Sequence, residues 1–180
     1  TTVSIPPHTD SCDLVGLLCV RPAQSGGDSA VVSSTALYNE FLATRPDLLE
    51  PLYEGFYLDL VGKGTQEKEL THHPIPVFSY FGGKISCRYN KGQIEHGAKK
   101  KGDGLTARQQ EAVDYFRELS MRSDLRLEME FRKGDIQILN NRTTLHSRTA
   151  FTDHLDLDQR RLLLRLWLNS FTPRPMHPAF

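Results

Sequence analysis

The chain has 180 residues, 38% of them hydrophobic, and its 22 basic and 22 acidic side chains give a formal net charge of zero. That length and apolar content support one domain with its own core, spanning residues 1–180. The charge balance offers no field that would draw nucleic acid or a membrane surface. No stretch approaches the length of a membrane span, and the first residues lack the charged-then-apolar pattern of a signal peptide. Cys12, Cys19 and Cys87 are odd in number, have no zinc-like spacing and read as free thiols of a reducing compartment, so a cytoplasmic location is expected.

The chain opens on Pro6-Pro7-His8-Thr9-Asp10. In an extended segment His8 and Asp10 share one side, which places an imidazole and a carboxylate together. A metal ligand needs rigid scaffold on both sides, and only seven residues precede His8. The sequence is therefore expected to be the C-terminal part of a longer chain. Residues 14–20 form a continuous apolar run that reads as a buried strand. Ser25-Gly26-Gly27-Asp28 follows as a tight turn, and 29–32 should return as a hairpin partner. Ser29, first on that return strand, would carry its hydroxyl towards the interior.

Ser33-Ser34-Thr35 should cap a helix running through Phe41, with further helical turns over 46–53. Residues 57–61 read as a strand, and 71–80 as a proline-limited extended segment leading to the turn Gly82-Gly83, with a strand at 85–89. The adjacent His72 and His73 would point oppositely on a strand and read as a loop or surface feature. Residues 92–104, with Lys99-Lys100-Lys101 between glycines, are expected to be a mobile, solvated loop. A nucleic-acid patch is the alternative reading of these lysines, which the absence of interleaved aromatics disfavours. The strongest helix lies at 106–121, where Ala107, Ala112, Val113, Phe116 and Leu119 make an apolar stripe. Residues 125–131 alternate as a half-buried strand.

Gly134-Asp135 then reads as a turn. Ile136, Ile138 and Leu139 form a short strand that stops at Asn140-Asn141. After His146 and the polar run Ser147-Arg148-Thr149-Ala150-Phe151 comes an apolar strand at 160–168 that contains Arg160, Arg161 and Arg165. Alternation puts Arg161, Leu163, Arg165 and Trp167 on one face. Charge inside a protein is costly unless paired. The arginines therefore face either an interior that receives anions or, on an edge strand, solvent. Residues 173–178 are too proline-rich for regular structure. Many short strands with helices between them predict a mainly β protein with helical insertions, a jelly roll.

His8 and Asp10 with the distant His146 would complete a two-histidine, one-carboxylate face for a divalent metal, an arrangement associated with non-haem Fe(II) oxygenases. The ordered set of His8-Thr9-Asp10, Gly26-Gly27-Asp28-Ser29, Gly134-Asp135 with Asn140-Asn141, His146 to Phe151, and the arginine strand resembles the taurine dioxygenase (TauD/TfdA) family. The resemblance covers nearly the whole chain. It implies a double-stranded β-helix, dependence on Fe(II) and 2-oxoglutarate, and His8, Asp10 and His146 as the iron ligands. It also implies that Ser29 and Arg161 hold the distal carboxylate of 2-oxoglutarate, and that Arg165 meets an anionic group of the substrate. The loop from His146 to the arginines is a few residues longer than in taurine dioxygenase, which leaves the choice between Arg161 and Arg165 open. The region before the His-x-Asp motif that helps build the family's substrate pocket is absent, so no particular substrate is implied.

The expected activity is oxidation, chiefly hydroxylation, of a small anionic organic molecule by dioxygen, with release of succinate and CO2. A homo-oligomer is compatible with this, and neither nucleic acid nor a membrane is an expected partner. Asp10 argues against the halogenating variants, which replace this carboxylate. A cupin-type metal enzyme that does not use 2-oxoglutarate is the alternative, but it would not need arginines on the strand after His146. A catalytically silent binding module would not be expected to keep all three ligands.

Overall fold

The computed structural model describes residues 1–60 and 69–180. Its strands are β1 (Ile5–His8), β2 (Leu14–Arg21), β3 (Ser25–Gly26), β4 (Ser29–Ser33), β5 (Phe78–Phe81), β6 (Lys84–Cys87), β7 (Arg126–Met129), β8 (Ile136–Asn140), β9 (Thr144–Arg148), β10 (Phe151–Thr152) and β11 (Leu162–Leu168). The helices are α1 (Ser34–Thr44), α2 (Leu49–Glu54), α3 (Lys91–Lys101) and α4 (Ala107–Met121). The protein is thus mainly β with helical insertions. Among the described residues no helix is long and apolar enough to cross a membrane, and the three cysteines are unpaired and buried.

Two antiparallel sheets carry the architecture: a four-stranded sheet of order β1-β9-β4-β7 and a three-stranded sheet of order β11-β2-β8. The four-stranded sheet has two unlike faces because successive side chains alternate. Val32 and Leu145 are register partners, almost fully buried in an apolar core with Leu37, Phe41, Phe78, Val113 and Phe116. On the opposite parity Val31 pairs with His146 and Ser29 with Arg148. The helices therefore cover one face of this sheet, and its other face carries chemistry.

The helices form where capping and apolar spacing coincide. Ser33 caps α1 by accepting from the Ala36 N–H. Thr106 and Gln109 close a capping box at the start of α4, whose Ala112, Val113, Phe116 and Leu119 are buried as expected, while Ala107 in the first turn is exposed. The hairpin β5–β6 turns through Gly82-Gly83 as the sequence predicts.

Four expectations are corrected. First, 29–32 does not return beside β2: β2 pairs with β11 and β8, whereas β4 lies in the other sheet between β9 and β7. Gly26 and Gly27, at φ 69° and 80°, carry the chain across the gap between sheets instead of reversing it. A side chain on Gly26 would meet the Ala150 carbonyl oxygen at 2.5 Å. Second, 92–104 is not a loop. Asn90 caps α3, Ile94 is buried, and Gly97 packs so tightly that a Cβ would lie 2.0 Å from the Tyr57 carbonyl oxygen. The lysine triplet sits in the last turn, where cations favour the helix dipole, and Lys100 pairs with buried Asp59. Third, the strand expected at 57–61 is reduced to isolated bridges at Phe56 and Asp59, with Val61 outside the described residues. Fourth, the apolar side chains of 125–131 are not uniformly inward, since Leu127 is 64% exposed.

The three-stranded sheet inverts a naive reading of its apolar residues. Ile136, Ile138, Leu164 and Leu166 are exposed on its outer face, while polar Gln137 is buried on the inner one. The regular part of the last strand begins at Leu162, with Arg161 just before it.

Candidate metal centre and anion cavity

His8 is the last residue of β1 and is directly opposite His146 of β9. Cross-strand partners bring side chains together, and here the two imidazole centroids lie 4.3 Å apart. Asp10 follows one residue beyond Thr9, whose N–H donates to the Tyr89 carbonyl at 2.8 Å and whose hydroxyl accepts from the Tyr89 N–H at 2.9 Å. Asn141, fully buried, holds the same loop from the other side. It accepts from the Asp10 N–H and donates to the carbonyls of Asp10 and Cys12. Asp13, which pairs with Arg142 and accepts from the Ser170 N–H, completes the brace.

The ligand atoms of His8, Asp10 and His146 all lie within 4.8 Å of one another. His8 Nε2 is 3.7 Å from Asp10 Oδ1, and His146 Nε2 is 3.5 Å from Asp10 Oδ2. These separations are long for hydrogen bonds but suit groups that each stand roughly 2 Å from a shared cation. His8 Nδ1 lies 2.9 Å from the Pro6 carbonyl oxygen. That oxygen can only accept, so Nδ1 carries the proton and Nε2 keeps its lone pair. Burial, with the charge of His146 beside it, pushes the His8 pKa down and favours the neutral imidazole a metal requires. Burial alone would raise the Asp10 carboxyl. The close approach of His146 and the charges of His146, His8 and Arg165 outweigh it and hold the group below its ordinary range. Two imidazoles and a carboxylate converging beside a cavity are a donor set that fits a divalent cation.

The cavity beside these groups has a volume of about 280 Å³, and both sheets contribute to its walls, among them Ile5, His8, Ser29, His146, Arg161 and Arg165. Arg161 and Arg165, which the sequence places on one face of the strand, both reach it. Among the described residues neither guanidinium has a hydrogen-bonding or ion-pairing partner. Each lies instead against an aromatic ring, Arg161 5.1 Å from Phe151 and Arg165 4.7 Å from Trp167. The strand that carries Arg165 and directly follows Arg161, β11, is the edge of its sheet. Arg165 is exposed while Arg161 is half-buried, so the edge expected from the sequence and the cavity meet at this strand. Burial lowers the Arg161 pKa, as expected for a cation awaiting a counter-charge. Arg160 does not join them, since its side chain turns to the His154 carbonyl. Ser29 lines the cavity, but its hydroxyl donates to Gln137 Oε1 at 3.1 Å.

Sequence reasoning missed four neighbours of the site. Arg148 also lines the cavity, with its guanidinium held by the carbonyls of Thr1 and Val3. Gln137 fixes Ser29, Asn141 braces the Asp10 loop, and Trp167 donates its indole N–H to Asp10 Oδ2 at 2.9 Å. The last had a signal in the sequence, because Trp167 shares alternation with Arg161 and Arg165. His72 and His73 do not join a metal-ligating group among the described residues.

Comparison with known proteins adds a lineage to this geometry. The model of the family described as "Taurine catabolism dioxygenase TauD, TfdA family" matches residues 1–167. The chain is 33% identical over 172 residues to FR-33289 synthase of Streptomyces rubellomurinus, an alignment covering 94% of this chain and 50% of the relative. It is 35% identical over 169 residues to the taurine hydroxylase-like protein SAT17 of Stachybotrys chartarum, covering 92% of this chain and 42% of that one. The chain thus spans about half the length of the curated relatives it matches. Among solved structures, asparagine oxygenase in complex with Fe(II), 2S,3S-3-hydroxyasparagine and succinate superposes with a TM-score of 0.71 at 20% identity, covering 93% of this chain and 50% of that one. The non-heme iron oxygenase OrfP with Fe and alpha-ketoglutaric acid gives a TM-score of 0.65 at 14% identity, covering 94% and 50%. At these identities the likeness is one of fold.

Proposed function

The chain belongs to the TauD/TfdA dioxygenase family, and from that premise we propose that it forms the catalytic core of an Fe(II)- and 2-oxoglutarate-dependent oxygenase. The substrate is a small anionic organic molecule, most simply hydroxylated, with succinate and CO2 released. The two facing sheets are read as the double-stranded β-helix of that family within one domain, 1–180. One observation carries the proposal: a His-Asp-His cluster within 4.8 Å adjoins a cavity lined by two guanidiniums that, among the described residues, make no ion pair with a carboxylate.

In this reading His8, Asp10 and His146 hold the iron. The bound metal, together with a 2-oxo acid, supplies dioxygen activation and oxidative decarboxylation. The remaining work belongs to the protein. Arg161 offers the distal carboxylate two parallel charge-assisted hydrogen bonds in a partly dry cavity. Ser29 adds a third donor once its hydroxyl turns from Gln137. Pro6 keeps the proton of His8 on Nδ1, and Asn141 fixes the backbone of the Asp10 loop. Arg165, whose charge is felt at Asp10, lies closest to the metal cluster of the two arginines that the sequence singled out, and it orients an anionic substrate group there. A cupin-type enzyme without 2-oxoglutarate would leave both arginines unexplained.

The test is anaerobic addition of Fe(II) and then 2-oxoglutarate to the full-length protein. A visible charge-transfer band is expected, absent in His146→Ala. If no band forms in the wild type, or if His146→Ala retains stoichiometric iron, the proposal fails.

A further inference from the structure

We propose that Trp167 is a positioning residue of the metal centre: its indole N–H holds one oxygen of Asp10, so that the carboxylate presents its other oxygen to the ion. This rests on the metal-site reading above and adds to it a residue outside the ligand set. The three candidate ligands are not equally restrained. His8 is oriented through Nδ1 by the Pro6 carbonyl. Asn141 fixes the backbone of Asp10 but does not touch its carboxylate. Both candidate histidines approach the carboxylate only at 3.7 and 3.5 Å, so the hydrogen bond that grips it within ordinary range comes from Trp167, 2.9 Å from Oδ2 and 157 positions away in the chain.

The indole suits this task. It is a donor only, so it cannot compete for the cation, and being neutral it engages an oxygen without cancelling the carboxylate's charge. Its ring is steadied from two sides. β11 pairs Trp167 with buried Val15 of β2, and the Arg165 guanidinium lies 4.7 Å from the ring centroid. A purely structural role fits poorly, because Trp167 is 41% exposed. A tryptophan retained mainly for packing would bury more of its surface. Each carboxylate oxygen faces one histidine, Oδ1 at 3.7 Å from His8 Nε2 and Oδ2 at 3.5 Å from His146 Nε2. The indole engages Oδ2, which leaves Oδ1 as the oxygen without another hydrogen-bond donor among the described residues and free for the metal. Loss of such an outer hydrogen bond commonly weakens metal affinity by about 10- to 100-fold.

The experiment measures Mn(II) dissociation constants of the full-length protein, from the electron paramagnetic resonance of free ion, for wild type, Trp167→Phe, Trp167→Gln and Trp167→Leu. Mn(II) reports binding without turnover. Thermal unfolding of the metal-free forms is followed alongside. Phe keeps a ring without the donor, Gln keeps a donor without the ring, and Leu keeps neither. The expected result is affinity weakened by about tenfold or more in Phe and Leu and by about threefold or less in Gln, with metal-free unfolding temperatures close to wild type. Equal weakening of Phe and Gln, or no weakening in any variant, would overturn the inference. Should the Phe variant not fold, the difference between Gln and Leu carries the same decision. His146→Ala separates this test from the reading beneath it. If that variant binds Mn(II) as wild type does, the metal centre itself is misassigned and this inference goes with it. If it loses Mn(II) while Trp167→Phe retains wild-type affinity, only the role of Trp167 fails.

Discussion

Asn141 and Asp10 stand 131 positions apart and are joined by two hydrogen bonds running in opposite directions. The Asp10 N–H donates to Asn141 Oδ1 at 2.9 Å, and Asn141 Nδ2 donates to the Asp10 carbonyl at 2.7 Å. A third bond reaches the Cys12 carbonyl. This fully buried amide splints the loop that presents the metal carboxylate. Asn141→Ala should lower stability by about 3 kcal/mol, roughly one for each lost bond, and should weaken Mn(II) binding as well. Urea unfolding and metal titration check the two effects. Wild-type metal affinity in a folded variant would mean that the loop holds its shape without the splint.

Arg161 and Ser29 should contribute unequally to the 2-oxoglutarate site. Arg161→Leu removes the charged partner of a carboxylate in a partly dry cavity, and the apparent 2-oxoglutarate requirement should rise about a hundredfold or more. Ser29 has Gln137 as an alternative acceptor, so Ser29→Ala should cost about tenfold or less. Succinate formation is the readout. Saturation of the leucine variant at wild-type concentrations would exclude Arg161 from this role.

Arg165 should serve the substrate. Arg165→Leu is expected to keep Fe(II) and 2-oxoglutarate binding yet lose coupled oxidation, leaving only slow succinate release. Loss of 2-oxoglutarate binding instead would exchange the roles of the two arginines. Normal coupled turnover would make Arg165 structural.

Asp13 should set part of the acid sensitivity. The Ser170 N–H and the Arg142 guanidinium outweigh burial and hold its carboxyl below the ordinary 3.8. The unfolded chain therefore takes up this proton first on acidification. The contribution of Asp13 is fully present above about pH 3.8 and is lost as pH falls through the lower, folded value. Asp13→Asn should cost about 2–3 kcal/mol at neutral pH, since it leaves buried Arg142 without its carboxylate. It should also flatten the fall in stability below pH 4. Urea unfolding across pH checks both, and parallel curves for the two proteins would contradict the assignment.

Local chemistry in the chain was enough to locate most elements. Ser33 announced its helix because capping depends on residues three positions apart. The stripe of α4 announced its buried face for the same reason. The alternation of β11 correctly put Arg161, Leu163 and Arg165 on one face, because a strand's periodicity is a property of its own backbone. Reading failed where the deciding partner was distant. The hairpin expected at Gly26-Gly27 was wrong because glycine permits either a reversal or a crossing, and the Ala150 carbonyl that selects the crossing lies far along the chain. The 92–104 segment looked like a loop because its glycines and lysines disfavour a helix locally. Its stability comes from Gly97 against Tyr57, Lys100 on Asp59 and the buried side chain of Ile94.

The candidate site divides along the same line. By itself the sequence determined which residue types were available and their order: His8 and Asp10 two positions apart, His146 far downstream, and arginines alternating beyond it. Only the tertiary structure decided that β1 lies against β9 with His8 opposite His146, that both arginines line one cavity, and that Asn141 and Trp167 grip the Asp10 loop. Those contacts join segments more than a hundred residues apart. Their geometry is set by sheet register and packing, and no local preference of the chain encodes it.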